Sequence, residues 1–182
     1  MSLTTVSIVG LFRLSGQVED VKAFYTQFHG TELDFALCEH DIHVATGALK
    51  LYLRQQKVPL IPFESYTPFI NGQSMYQNKI NRLTQTEQDD QDDQIKAIRA
   101  AWADLPSPNK EIVQFLIYFL SLLALESEVN KMTPNNIGIV FGPTIMWEKE
   151  LSNDFGATTH QSNLVATMVE HYHDIWDNIP SG

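Results

Sequence analysis

At 182 residues the chain is long enough for one domain with a proper core, and its 43% hydrophobic and 19% charged residues exclude a disordered chain. A net charge of −10 removes the main energetic term of phosphate-backbone binding, so nucleic acid is not an expected partner. The single cysteine, Cys38, excludes an intrachain disulfide, and the absence of a basic leader or a membrane-length apolar run points to a cytoplasmic protein without direct membrane insertion.

The segment Gly10-Leu11-Phe12-Arg13-Leu14-Ser15-Gly16 sets one arginine among apolar neighbours, with a glycine at each end. Leu11, Phe12 and Leu14 are expected to anchor it, Gly10 and Gly16 to supply tight-loop backbone angles, and Arg13 to be the side chain free to leave. Taken alone, such an arginine reads as a solvated loop cation. Val21, Phe24, Tyr25 and Phe28 recur at helical spacing, predicting a helix capped by Ser15 and ended by Gly30. Thr31 to Glu39 reads as a connector. Asp41 then caps a second helix with Ile42, Ala45, Leu49, Tyr52 and Leu53 on its apolar side. Lys50 and Arg54 lie one turn apart on it, a small basic patch that could equally be two solvated charges, and Gly47 would let another backbone approach.

Pro59 and Pro62 end that helix in an extended turn. Two short helices follow, one over Phe63 to Ile70 and one carrying Met75, Tyr76, Ile80 and Leu83. Glu87 to Gln94 is acidic and lacks any apolar residue; without the turn glycine and terminal glutamate of a calcium loop it reads as an exposed acidic loop. Ile95, Ile98, Trp102 and Leu105 then predict a helix stopping before Pro106. Ser107 and Pro108 look like N-cap and first residue of the longest helix, whose run from Ile112 to Leu125 is apolar almost all round and reads as the centre of a bundle. In the block Asn130 to Pro143, Thr133 caps, Pro134 opens a short helix, and Gly142-Pro143 closes it after barely two turns. Asn136 falls in its first turn, where the amide is free to donate and accept. A polar stretch from Glu148 to Thr159 precedes a last helix carrying Leu164, Met168, Tyr172 and Ile175. No segment alternates with period two, so the expected fold is an all-α single domain over residues 1–182. Cys38, His40, His43, His171 and His173 could be imagined as metal ligands, but residues two apart on a helix diverge, and packing or surface roles are the better reading; no metal site is expected.

The loop Gly10 to Gly16, the Lys50/Arg54 pair before a proline turn and the block Asn130 to Pro143 together resemble the RhoGAP domain, the GTPase-activating domain for Rho-family small GTPases. That family's motifs run roughly G-I-F-R-x-S-G, L-K-x-x-L-R-E-L-P-x-P-L and N-K-M-T-x-x-N-L-A-x-V-F-G-P. The matches come in the same order, over about residues 9–175, and the third is the most specific. Two departures stand out. Arg54-Gln55-Gln56-Lys57-Val58-Pro59-Leu60 lacks the first proline of the second motif, and nine residues precede Gly10 where the family usually carries a helical segment. The resemblance implies a helical bundle of the RhoGAP type, lacking that N-terminal helix. It also implies a Rho-family GTPase as partner, with Arg13 as an arginine finger acting in trans. Lys50 and Arg54 match the basic pair that contacts the GTPase and steadies the finger loop, and Pro59 and Asn136 match further interface positions. No cofactor of its own is implied, since GTP and magnesium belong to the partner; no G-x-x-x-x-G-K-[ST] loop occurs in the chain. The alternative is a module that keeps the fold and docks without accelerating hydrolysis.

Overall fold

A computed structural model describes residues 7–27, 33–38, 41–80, 87–149 and 156–177. Among them the secondary structure is helical throughout: α1 (Val18–Thr26), α2 (Ile42–Arg54), α3 (Phe63–Ile80), α4 (Glu87–Ala103), α5 (Ser107–Leu125), α6 (Ser127–Asn130), α7 (Pro134–Ile145), α8 (Ala157–Glu170) and α9 (Tyr172–Trp176), with a 3-10 turn at Phe35–Cys38. The all-α expectation therefore holds. Phe28, Gly30, His40 and Leu83 lie outside the described residues.

Local sequence sets several of the helix starts. Asp41 accepts from the His43 amide at 2.8 Å to begin α2, and the Thr133 hydroxyl accepts from the Asn136 amide at 3.3 Å ahead of Pro134 in α7. Each cap satisfies an amide that has no partner within its own helix. Ser15 does not cap α1; the N-cap is Gln17, with no side-chain bond. Ser107 is the first residue of α5, with Pro106 at the N-cap, and its hydroxyl donates to Glu111 at 3.1 Å.

Two prolines lie inside helices, Pro68 in α3 and Pro143, which was expected to close its helix, in α7. Proline removes the bond to the carbonyl four residues earlier, here Glu64 and Ile139. Both of those residues are exposed, so water can take over the freed carbonyls. As a result α7 runs on to Ile145, and α3 continues past Ile70 as one helix where two were expected. The acidic stretch from Glu87 is likewise the start of α4, where negative charge suits the helix N-terminus. Its Gln94 is buried and donates to Gln73 of α3 at 2.7 Å. Conversely, the expected last helix divides at His171 into α8 and α9.

The main core joins Phe69, Ile98, Ile117, Leu120, Leu123, Ile137, Phe141, Ile145, Leu164, Met168 and Ile175, contributed by α3, α4, α5, α7, α8 and α9. A full burial of each such side chain is worth about 1.5–3 kcal/mol, which makes this cluster the principal stabilising feature. α7 packs most extensively on α8, and a Cβ added at Gly142 would lie 2.7 Å from the backbone of Gln161 and Ser162. The closeness of those two helices thus depends on the absent side chain. A smaller cluster, Phe24, Cys38, Val44 and Ala48, joins α1 and the 3-10 turn to α2. Burial pushes the Cys38 thiol up, with the Asp41 charge adding to the effect.

α5 is not buried all round. Val113, Leu116, Ile117, Leu120 and Leu123 face the core, while Phe115 and Leu125 are 73% and 78% exposed. No helix among the described residues is long and apolar enough to cross a membrane.

Candidate functional site

The loop bearing Arg13 is fixed at residues on either side of Phe12. Gly10 takes a left-handed φ of 71° and Phe12 one of 69°. For glycine this costs little, but for a phenylalanine it is strained by about 1–3 kcal/mol and persists only where the surroundings over-determine it. They do so here from several directions. The Phe12 ring is buried and meets Phe141 edge-on at 5.1 Å and Phe119 at 5.9 Å. Its carbonyl accepts from the Lys50 ammonium. The Gly10 amide donates to the Asn130 carbonyl at 2.7 Å, and the Gly10 carbonyl accepts the Arg13 and Leu14 amides, both at 2.9 Å.

Arg13 is consequently exposed on a loop whose preceding residue is locked into the core. Leu11 is buried as expected, whereas Leu14 is 46% exposed and anchors nothing. Gly16 serves by lack of bulk; it has no left-handed φ, and a Cβ there would lie 2.7 Å from the Val44 amide nitrogen. At Gly47 the approaching group is the Val21 side chain, not a backbone.

Lys50 and Arg54 do line one groove, together with Ser15, Gly16, Val18 and Lys22, but they are not a matched surface pair. Lys50 is only 8% exposed and points at the loop backbone. Burial lowers its pKa, and the neighbouring Arg54 charge lowers it further. Arg54 is exposed and reaches the other way, its Nε donating to the Thr144 hydroxyl of α7 at 3.0 Å. α2 therefore holds the Arg13 loop with one cation and α7 with the other.

Asn136 is half-buried and donates from Nδ2 to the Lys131 carbonyl at 2.9 Å, closing the connector between α6 and α7. Pro59 is buried in the turn after α2; beside it, the Leu60 carbonyl accepts from Asn109 Nδ2 at 2.8 Å, which ties the turn to α5. The structure thus brings the Arg13 loop, Lys50 and the Asn130–Asn136 segment together, with Arg54 reaching α7 nearby.

Asn130 was not among the expected site residues, although it stands in the third motif. The available signal was an asparagine just ahead of a Thr-Pro helix start, a residue type that closes turns with its side chain; the structure puts that turn at Lys131, φ 61°. Elsewhere, His171 contacts Asp174 at 3.0 Å and His173 contacts Asp177 at 2.5 Å, and no group of metal-ligating side chains is found among the described residues.

Comparison with known proteins gives concordant matches. The sequence matches the family model for the RhoGAP domain over residues 1–150. It is 30% identical over 171 residues to the Rho GTPase-activating protein gacE of Dictyostelium discoideum, covering 93% of this chain and 14% of that protein. It is 32% identical over 161 residues to Rho GTPase-activating protein 44 of Rattus norvegicus, covering 88% and 18% respectively. The chain thus spans under a fifth of the length of these relatives. Among solved structures, human Rho GTPase activating protein 15 superposes with a TM-score of 0.78 at 27% identity, over 94% of this chain and 76% of that one. The BH domain from GRAF also superposes at 0.78, with 24% identity over 97% and 88%, a likeness of fold.

Proposed function

The chain belongs to the RhoGAP domain family, and from that premise we propose that it accelerates GTP hydrolysis by a Rho-type small GTPase, contributing Arg13 in trans to the partner's active site. The observation that carries this reading is the loop itself. An exposed arginine directly follows a strained, buried Phe12 whose backbone and ring are both held. Backbone strain fixed from several sides beside one free cation is what a residue delivered to another protein requires.

The chemistry follows from the charge. In the transition state of phosphoryl transfer, negative charge spreads over oxygens that the GTPase and its magnesium neutralise only in part. A guanidinium stays charged and offers several donors in a planar fork, which suits those oxygens better than an ammonium point charge. An arginine supplied in this way is worth on the order of 10³ to 10⁵ in rate. Lys50 acts behind the finger, holding the Phe12 carbonyl, while Arg54 at the end of α2, bonded to Thr144 of α7, and Asn136 in the first turn of α7 contact the partner. Pro59 belongs to this reading as the turn that carries α2 back toward α5. GTP and magnesium are the partner's, and the setting is cytoplasmic.

A single-turnover hydrolysis assay across a panel of small GTPases tests the proposal. Wild type is expected to stimulate at least one Rho or Rac type GTPase. Arg13→Ala should lose most of the stimulation, by about 10³-fold if the finger has its usual worth, and keep its affinity within about threefold. Binding by wild type without acceleration would mean a docking module instead.

A further inference from the structure

We propose that Asn130 is a positioning residue for the Arg13 loop, setting the orientation of the arginine through the Gly10 peptide, although it is fully buried and touches no partner. The proposal rests on the proposed function above for its effect on rate, but its structural half stands independently. Besides its amide, which donates to the Glu126 carbonyl at 2.9 Å, Asn130 commits three polar groups to one junction. Its Nδ2 donates to the Leu123 carbonyl in the last turn of α5 at 2.8 Å. Its Oδ1 accepts the Met132 amide at 2.7 Å, closing the turn around left-handed Lys131. With the side chain bonded fore and aft, its own carbonyl is aimed at the Gly10 amide, at 2.7 Å.

That last bond matters because of what hangs on Gly10. The opposite side of the same residue, its carbonyl, accepts both the Arg13 and the Leu14 amides. The backbone of Arg13 is therefore two hydrogen bonds from Asn130, by way of a single residue. Lys50 holds the loop from the α2 side at Phe12, and Asn130 holds it from the α5–α7 side at Gly10. A loop pinned at one point can pivot; pinned at two it presents Arg13 in one direction. Asn136 bonds the Lys131 carbonyl of the same connector, so the proposed docking residue and the loop clamp share one short stretch of chain. Asn130 is 0% exposed, and truncating it would take the acceptor from the buried Met132 amide and leave the Leu123 carbonyl only the Glu126 amide at 3.3 Å.

Amide hydrogen exchange and single-turnover kinetics test this together. In Asn130→Ala the Gly10, Arg13 and Leu14 amides should exchange about tenfold faster or more, while amides of α5 before Leu123 keep their protection. At saturating concentration of the variant, the stimulated hydrolysis rate should fall about tenfold or more, with affinity for the GTPase changed less than about threefold. In an Arg13→Ala background the same substitution should cost no further rate, because it acts only through the finger. Unchanged Gly10 exchange overturns the proposal. So does a parallel fall of rate and binding in proportion to the folded fraction, the mark of a purely structural residue. If Asn130→Ala does not fold, the wild-type protein decides: a Gly10 amide exchanging at the random-coil rate overturns the clamp, and one slowed about a hundredfold or more supports it. Should wild type stimulate no GTPase, the proposed function fails while the exchange measurement still decides the clamp.

Discussion

Lys50 illustrates how far a residue's type is from its role. The sequence places it one turn from Arg54 and so suggests two cations on one face; in the fold it is buried, bonded to the Phe12 carbonyl, with its pKa lowered by burial and by Arg54. The direction has a testable consequence. Well below the lowered pKa, both folded and unfolded states carry the proton, and the cost of burying the ammonium is fully present. Between that pKa and the ordinary value of 10.5 the unfolded state binds more protons, so this contribution to stability improves as pH rises. In a pH titration followed by the 13Cε shift, the Lys50 midpoint should lie below the ordinary value of 10.5. Lys50→Met removes the charge but leaves the Phe12 carbonyl buried and unpaired. We expect it to cost about 1–3 kcal/mol in urea unfolding, and to raise exchange at the loop amides. An unaltered unfolding midpoint would mean the bond contributes nothing.

At the scale of the helix, local chemistry was readable where the cap is made by neighbours. Asp41 and Thr133 needed only the amides two or three residues ahead, and both cap as their sequence context predicts. Pro143 was misread because a proline's effect depends on whether the carbonyl it frees can reach water, and that is settled by the fold. The acidic run at Glu87 was misread for a related reason: composition marks it as exposed, but one glutamine within it, Gln94, is buried against Gln73. The glycines of α7 carry a sharper prediction. Gly142→Ala would set a methyl group against the backbone of α8, which cannot rotate away as a side chain could. A loss of about 1–3 kcal/mol is expected from overpacking, read as a lower denaturation midpoint, even though alanine is the better helix former. If the midpoint rose instead, the α7–α8 contact would be looser than these distances require.

Over the whole molecule, α5 departs furthest from its sequence pattern. Its apolar run predicts a helix surrounded by others, yet Phe115, Tyr118, Leu122 and Leu125 lie on a face exposed among the described residues. Phe115→Ser should therefore change stability by no more than about 0.5 kcal/mol, and should reduce binding of an apolar dye such as ANS. A large destabilisation would show that Phe115 is packed after all. By contrast, Val113 and Ile117, each two positions from it in the same run, belong to the core.

The sequence alone determined the helical class, the order of the three motifs, the caps of α2 and α7, and the placing of Arg13 in a loop, because each depends on residues within a few positions of one another. Only the tertiary structure decided that Lys50 faces inward, that Arg54 reaches α7 and that Asn130 holds Gly10. Those contacts join positions 38 and 90 residues apart in the first two cases, and the third joins the start of the chain to the end of α6. Periodicity reports which side of a helix is apolar. Which polar group meets which across the core is fixed by packing, and there the Arg13 loop acquires its shape.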